Sequence, residues 1–127
     1  MKLYQNPLRL PGQWPQSGVG DPFVMRHNGV YYLYPSTPDP DCGVRVWISE
    51  NMLDWTDGGV VVCDSCLRNA YAPEVFYHNG TFWLATSPGG QGHYLYAGEH
   101  PTGPFTRVGG SLGRTIDGSF FADDRGQ

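Results

Sequence analysis

The sequence predicts an all-β fold of the β-propeller type, of which this chain supplies two blades and the start of a third. Three observations carry that expectation. A sixteen-residue segment recurs without a gap, an Asn-Gly pair sits inside each copy, and no window shows a convincing helical pattern. Composition agrees. The 127 residues include 18 Gly, 11 Pro and 14% aromatics, with only 16% charged and a net charge of −4. So many aromatics with so few charges argue against disorder. The acidic balance and the lack of any Lys/Arg run leave nothing to neutralise phosphates, which disfavours nucleic acid. Nothing approaches the ~18 consecutive apolar residues of a membrane span. The opening residues Met1 to Pro7 lack the apolar centre of a signal peptide, so the expected location is cytoplasmic.

The repeat sets the elements in order. After a Pro-rich lead-in over residues 1–20, the segment Asp21 to Ser36 aligns with Ala72 to Ser87 at an offset of 51 residues. Seven pairs are identical: Pro22/Pro73, Val24/Val75, His27/His78, Asn28/Asn79, Gly29/Gly80, Leu33/Leu84 and Ser36/Ser87. Apolar runs flank Asn28-Gly29 and Asn79-Gly80, the strongest short hairpin signal, because both centres of a type I′ turn need φ > 0. Further strands are expected around Val44 to Ile48 and Val60 to Val62 in the first copy. The second copy offers Tyr94 to Tyr96 and Pro104 to Gly110. A third copy opens at Asp117 and runs just past its turn at Gly126, without a second strand.

A unit of about 45 to 51 residues with four strands is the size of a propeller blade. The expected organisation is a single partial propeller domain over 1–127: lead-in 1–20, blade one about 21–66, blade two about 70–112, and blade three opening at 115–127. A β-sandwich with one duplicated hairpin is the alternative. Since propeller rings hold about four or more blades, the missing ones are expected from the rest of a longer chain or from other subunits.

The innermost strand of each blade lines the central channel, so equivalent strand ends meet at one mouth. Asp21 and Asp117 hold the same repeat position and are expected at the same opening. The second copy has Ala72 there, but Glu74 lies two residues on and is expected to face the same side. Three carboxylates would then converge on a pocket rimmed by Phe23, Tyr71, Phe76 and Phe120. Neighbouring carboxylates can divide acid and base roles. Aromatic walls with a few acids suit a sugar.

Several side chains have plainer readings. Asp21 also suits a turn, because Gly18-Val19-Gly20-Asp21-Pro22 has turn chemistry. Asp123 and Asp124 are expected in the hairpin turn, and His27 and His78 in structural roles. Trp47, Trp55 and Trp83 are expected to pack between sheets, while Trp14 is open between a sugar subsite and the outer wall. Cys42, Cys63 and Cys66 are expected as free thiols in loops. The Cys63-x-x-Cys66 pair has neither a second pair for zinc nor a following helix for redox work.

These motifs, in their order and spacing, resemble glycoside hydrolase family 43. Asp21-Pro22-Phe23 with Tyr31-Tyr32-Leu33 and Val46-Trp47-Ile48-Ser49 is similar to that family's first blade, and Tyr71-Ala72-Pro73-Glu74-Val75 to the opening of its second. Pro101-Thr102-Gly103-Pro104-Phe105 resembles its S-x-P-x-G-P-F turn. Ile116-Asp117-Gly118-Ser119-Phe120-Phe121-Ala122-Asp123-Asp124 resembles the start of its third blade. The resemblance implies a five-bladed propeller that hydrolyses α-L-arabinofuranosides or β-D-xylosides with inversion. It implies Asp21 as general base and Asp117 as the aspartate that tunes and orients the acid. Tyr71 would line the sugar subsite, with Phe23 and Glu74 beside it. The implied partner is an arabinose- or xylose-containing oligosaccharide. No cofactor is called for, although some relatives hold an axial calcium ion. The family's general acid is a later glutamate in an E-G-P segment, which is absent here. The chain is therefore expected to be an N-terminal fragment, inactive alone. The alternatives are a sugar-binding propeller or an inert truncated product.

Overall fold

The computed structural model describes residues 7–16, 18–38, 43–113 and 116–126. Cys42 lies outside them. Among the described residues, eight strands form two four-stranded antiparallel sheets, each a simple meander. The first blade is β1 (Phe23–His27), β2 (Val30–Tyr34), β3 (Val44–Ser49) and β4 (Thr56–Val62). The second is β5 (Ala70–His78), β6 (Thr81–Pro88), β7 (Tyr94–Gly98) and β8 (Thr106–Arg107). No helix occurs among the described residues.

Both inner hairpins turn where the Asn-Gly pairs predict. Asn28 and Gly29 have φ of 49° and 84°, and Asn79 and Gly80 have 48° and 83°. Two positive φ values in succession are the signature of the type I′ turn. The registers His27↔Val30 and His78↔Thr81 close the hairpins directly around these pairs. By contrast β8 is only two residues long. Pro104 has no N–H to give, and the Phe105 N–H goes instead to the Val61 carbonyl of blade one, at 2.8 Å.

The main core lies between the sheets. Tyr34, Val44, Val46, Val61 and Val62 from blade one meet Ala70, Val75, Phe82, Leu84, Tyr96 and Phe105 from blade two, with Leu67 of the connection between them. Each fully buried Val, Leu or Phe among them contributes roughly 1.5–3 kcal/mol. Polar ties cross the same seam. The Tyr34 hydroxyl donates to the Pro101 carbonyl (2.6 Å), and the Thr37 N–H to the Ala70 carbonyl (2.9 Å). His27 belongs here too. Its ring packs on Tyr77 and Phe82 at 4.7 and 4.9 Å between centroids, so it joins the blades rather than only shaping its own turn.

A second core joins the lead-in to blade one. Leu10, Leu33, Trp47 and Trp55 are buried together, and the Trp47 indole N–H donates to the Pro11 carbonyl at 2.7 Å. Trp14 stands edge-on to Trp47 with centroids 5.7 Å apart. This decides the open reading of Trp14 in favour of the outer wall. It also corrects the expectation for Trp47 and Trp55, which pack against the lead-in and not between the sheets. Cys63 and Cys66 are exposed free thiols beside the turn that follows β4.

Candidate active site

A cleft of about 210 Å³ is lined by Asp21, Pro22, Phe23, Ala72, Pro73, Glu74, Asp117, Gly118 and Ser119. These nine residues are three repeat-equivalent triplets, each opening on Asp21, Ala72 or Asp117. The structure therefore gathers the position that the repeat marks, once from each copy, around one opening.

The backbone repeats as well. Asp21, Ala72 and Asp117 all have positive φ, at 46°, 41° and 61°. Such values are uncommon for residues with a Cβ and notable in an alanine. A β-bulge accounts for the first two. In blade two the pairing steps from Tyr71↔Ser87 to Glu74↔Ala85, so three steps on β5 span two on β6. In blade one the Ser36 N–H donates to the Gly20 carbonyl (3.0 Å) and the next registered pair is Phe23↔Tyr34, which is the same step in equivalent residues. The extra residue bends each innermost strand and re-aims the side chain at its end.

Each carboxylate is then held differently. Asp21 Oδ2 accepts a hydrogen bond from the Ser36 hydroxyl at 2.7 Å, and the Ser36 oxygen in turn accepts the Ala72 N–H at 2.8 Å. Glu74 Oε1 accepts the Phe120 N–H (2.9 Å) and the Ser119 hydroxyl (3.1 Å), tying the third segment to blade two. Asp117 is placed through its neighbour: the Gly118 N–H donates to Nε2 of buried His93 at 2.8 Å. An accepting Nε2 requires the tautomer that carries its proton on Nδ1.

Of the five residues singled out, Asp21, Asp117, Phe23 and Glu74 line the cleft and Tyr71 does not. Tyr71 precedes the bulge and is 38% exposed. Phe76 and Phe120 are absent from the rim as well. They stack on each other at 5.7 Å in a neighbouring apolar groove with His78, Trp83, Leu95 and Phe121. The sequence reading missed Ser36 and His93. Ser36 did leave a signal, as one of the seven identical pairs, whereas His93 lies outside the aligned segments. Asp123 behaves as a turn residue, its side chain accepting the Arg125 N–H and its carbonyl the Gly126 N–H, both at 2.9 Å. Among the described residues no group of three or more His, Cys, Asp or Glu is placed to hold a metal ion.

The chain matches the family described as Glycosyl hydrolases family 43 over residues 10–127. It is 28% identical over 119 residues to a non-reducing end alpha-L-arabinofuranosidase of Bacteroides ovatus, covering 83% of this chain and 21% of that protein. It is 27% identical to a xylosidase/arabinosidase of Butyrivibrio fibrisolvens, covering 100% of this chain and 26% of the relative. Among solved structures it resembles a thermostable family-43 glycoside hydrolase at 30% identity and a TM-score of 0.78, over 98% of this chain and 42% of that one. An alpha-L-arabinofuranosidase of Clostridium thermocellum superposes with a TM-score of 0.72 at 27% identity, over 84% of this chain and 44% of its own. The chain thus spans about a fifth to a quarter of the curated relatives it matches.

Proposed function

The chain belongs to glycosyl hydrolases family 43, and on that premise we propose that it supplies the base-bearing side of an inverting hydrolase acting on α-L-arabinofuranosides or β-D-xylosides. The observation that carries this reading is the cleft built from three repeat-equivalent triplets, with aspartates at the shared position in the first and third. The names of the relatives support the substrate class.

In this reading Asp21 takes a proton from a water, which attacks the anomeric carbon from the face opposite the leaving group. Inversion needs a second carboxyl group, protonated, about 6.5–9.5 Å from the base, to donate to the departing oxygen. None of the chain's three glutamates suits that task. Glu50 and Glu99 are exposed beyond the ends of β3 and β7, and Glu74 is engaged by Ser119 and Phe120. We therefore assign the acid to a glutamate outside these 127 residues. Asp117 is assigned to orient that acid, and Phe23 and Glu74 to border the sugar.

The test is hydrolysis of 4-nitrophenyl α-L-arabinofuranoside and β-D-xyloside by the longest form of the protein, with the first-formed anomer read by proton NMR. Asp21→Asn is expected to lower kcat by at least ~10²–10⁴-fold, the usual worth of a general base. Retention of configuration, or an unchanged rate in Asp21→Asn, would sink the reading. The engagement of Glu74 favours a second one, a propeller that holds a sugar without cleaving it. Saturable oligosaccharide binding with no turnover in the longest form would select it.

A further inference from the structure

Ser36 joins the candidate base to the neighbouring blade. A hydroxyl has one proton and two lone pairs. Here the Ala72 N–H occupies a lone pair at 2.8 Å, and the proton goes to Asp21 Oδ2 at 2.7 Å, since a carboxylate can only accept. The sense of the chain is fixed, N–H to hydroxyl to carboxylate, and hydrogen bonds linked in one sense polarise one another. Both ends of the chain are unusual backbone sites. Asp21 and Ala72 are repeat mates, each in the left-handed region just before a proline. Ser36 itself is fixed by its own N–H on the Gly20 carbonyl.

We propose that Ser36 is a positioning residue for Asp21. Its hydroxyl selects the carboxylate rotamer and holds Oδ2, so that Oδ1 is the oxygen left to receive the proton from water. Because the same hydroxyl takes the Ala72 N–H, the aim of the candidate base depends on how blade two is docked against blade one. The proposal rests on the reading of Asp21 as general base, and it adds a residue that touches no reacting atom.

Two measurements test it independently. The first follows the Asp21 side chain in the longest form of the protein, through its ¹³Cγ shift and χ1 couplings. The wild type and Ser36→Thr, which keeps the hydroxyl, are expected to show one rotamer, and Ser36→Ala an average of several. If Ser36→Ala does not fold, Ser36→Cys, similar in size but a weak donor, takes its place with the same expectation. A single unchanged rotamer without the hydroxyl overturns the proposal. The second is turnover in the longest form. Ser36→Ala is expected to lower kcat by about 10–100-fold, as small misplacements of catalytic groups do, with KM changed by less than about twofold. Ser36→Thr is expected to restore most of the rate. Equal losses in the Ala and Thr variants would mean a steric role and overturn it. Should Asp21→Asn leave hydrolysis intact, the base reading falls while the rotamer measurement still decides the contact.

Discussion

At the scale of single residues, Gly118 is the position where the third segment has least room. A Cβ there would lie 2.8 Å from His93 Nε2, closer than real Cβ atoms come, and 3.0 Å from its Cδ2. His93 is buried and fixed by the Gly118 N–H, so its ring cannot swing aside without losing that bond. Gly118→Ala is therefore expected to cost ~1–3 kcal/mol, the usual range for overpacking, read as a fall in the urea midpoint. His93→Ala removes the obstacle but orphans a half-buried N–H, at ~1–3 kcal/mol. Because the two residues touch, the double variant should lose less than the two single losses combined. Additive losses, or a neutral Gly118→Ala, would show that His93 does not hold the segment carrying Asp117.

At the scale of elements, the bulge decides what the cleft contains. Ala72 carries a left-handed φ with no side-chain hydrogen bond available to stabilise it, a conformation that costs an L-residue roughly 1–2 kcal/mol. Ala72→Gly would relieve that cost, whereas Ala→Gly inside an ordinary strand loses about 0.5–1 kcal/mol. The expected result is an unchanged or higher melting temperature. A drop of the ordinary strand size would mean that the bulge is unstrained. The same bulge explains what could be read in advance. The hairpins were legible because Asn-Gly encodes their turns locally. The equivalence of Asp21 and Ala72 was legible because their repeat has no gap, and that of Asp117 because the third copy opens on the same acidic position. The bulge was not. Strict alternation from Ala72 to Glu74 ignores the extra residue, and side-chain facing cannot be counted across it. Thus Tyr71, which precedes the bulge, falls outside the cleft. Phe76 lies past the bulge in regular register, two residues further along β5 than Glu74, and stacks on Phe120 in the neighbouring groove. Nor did any local pattern announce the Ser36 and His93 bonds, which depend on where strands distant in sequence come to lie.

At the scale of the whole molecule, one carboxylate ties the seam between the blades. Asp64, on the connection from β4 to β5, accepts the Cys66 N–H on Oδ1 (2.9 Å) and the Tyr96 hydroxyl on Oδ2 (3.0 Å), with Arg107 Nη1 at 3.6 Å. The Cys66 N–H, more than Tyr96 or Arg107, holds the Asp64 carboxyl below the usual carboxylate range. Burial first, and then the bond to Asp64, push the Tyr96 phenol above its usual range. A carboxyl whose folded pKa is depressed stabilises the fold in its ionised state. That contribution is complete above the unfolded pKa of about 3.9 and is lost as pH falls through the lower, folded value. Asp64→Asn is therefore expected to melt lower than wild type at pH 7, with the two curves converging as pH drops below about 4. Since the main cause is a backbone N–H and Arg107 is exposed, most of the difference at pH 7 should survive ~0.5 M salt, which screens surface pairs. A gap that stays constant down to pH 2, or that salt abolishes, would refute the assignment. The Tyr96 bond ties the β4–β5 connection to β7 of the second blade, and the Ser36–Ala72 bond joins the same two blades beside Asp21.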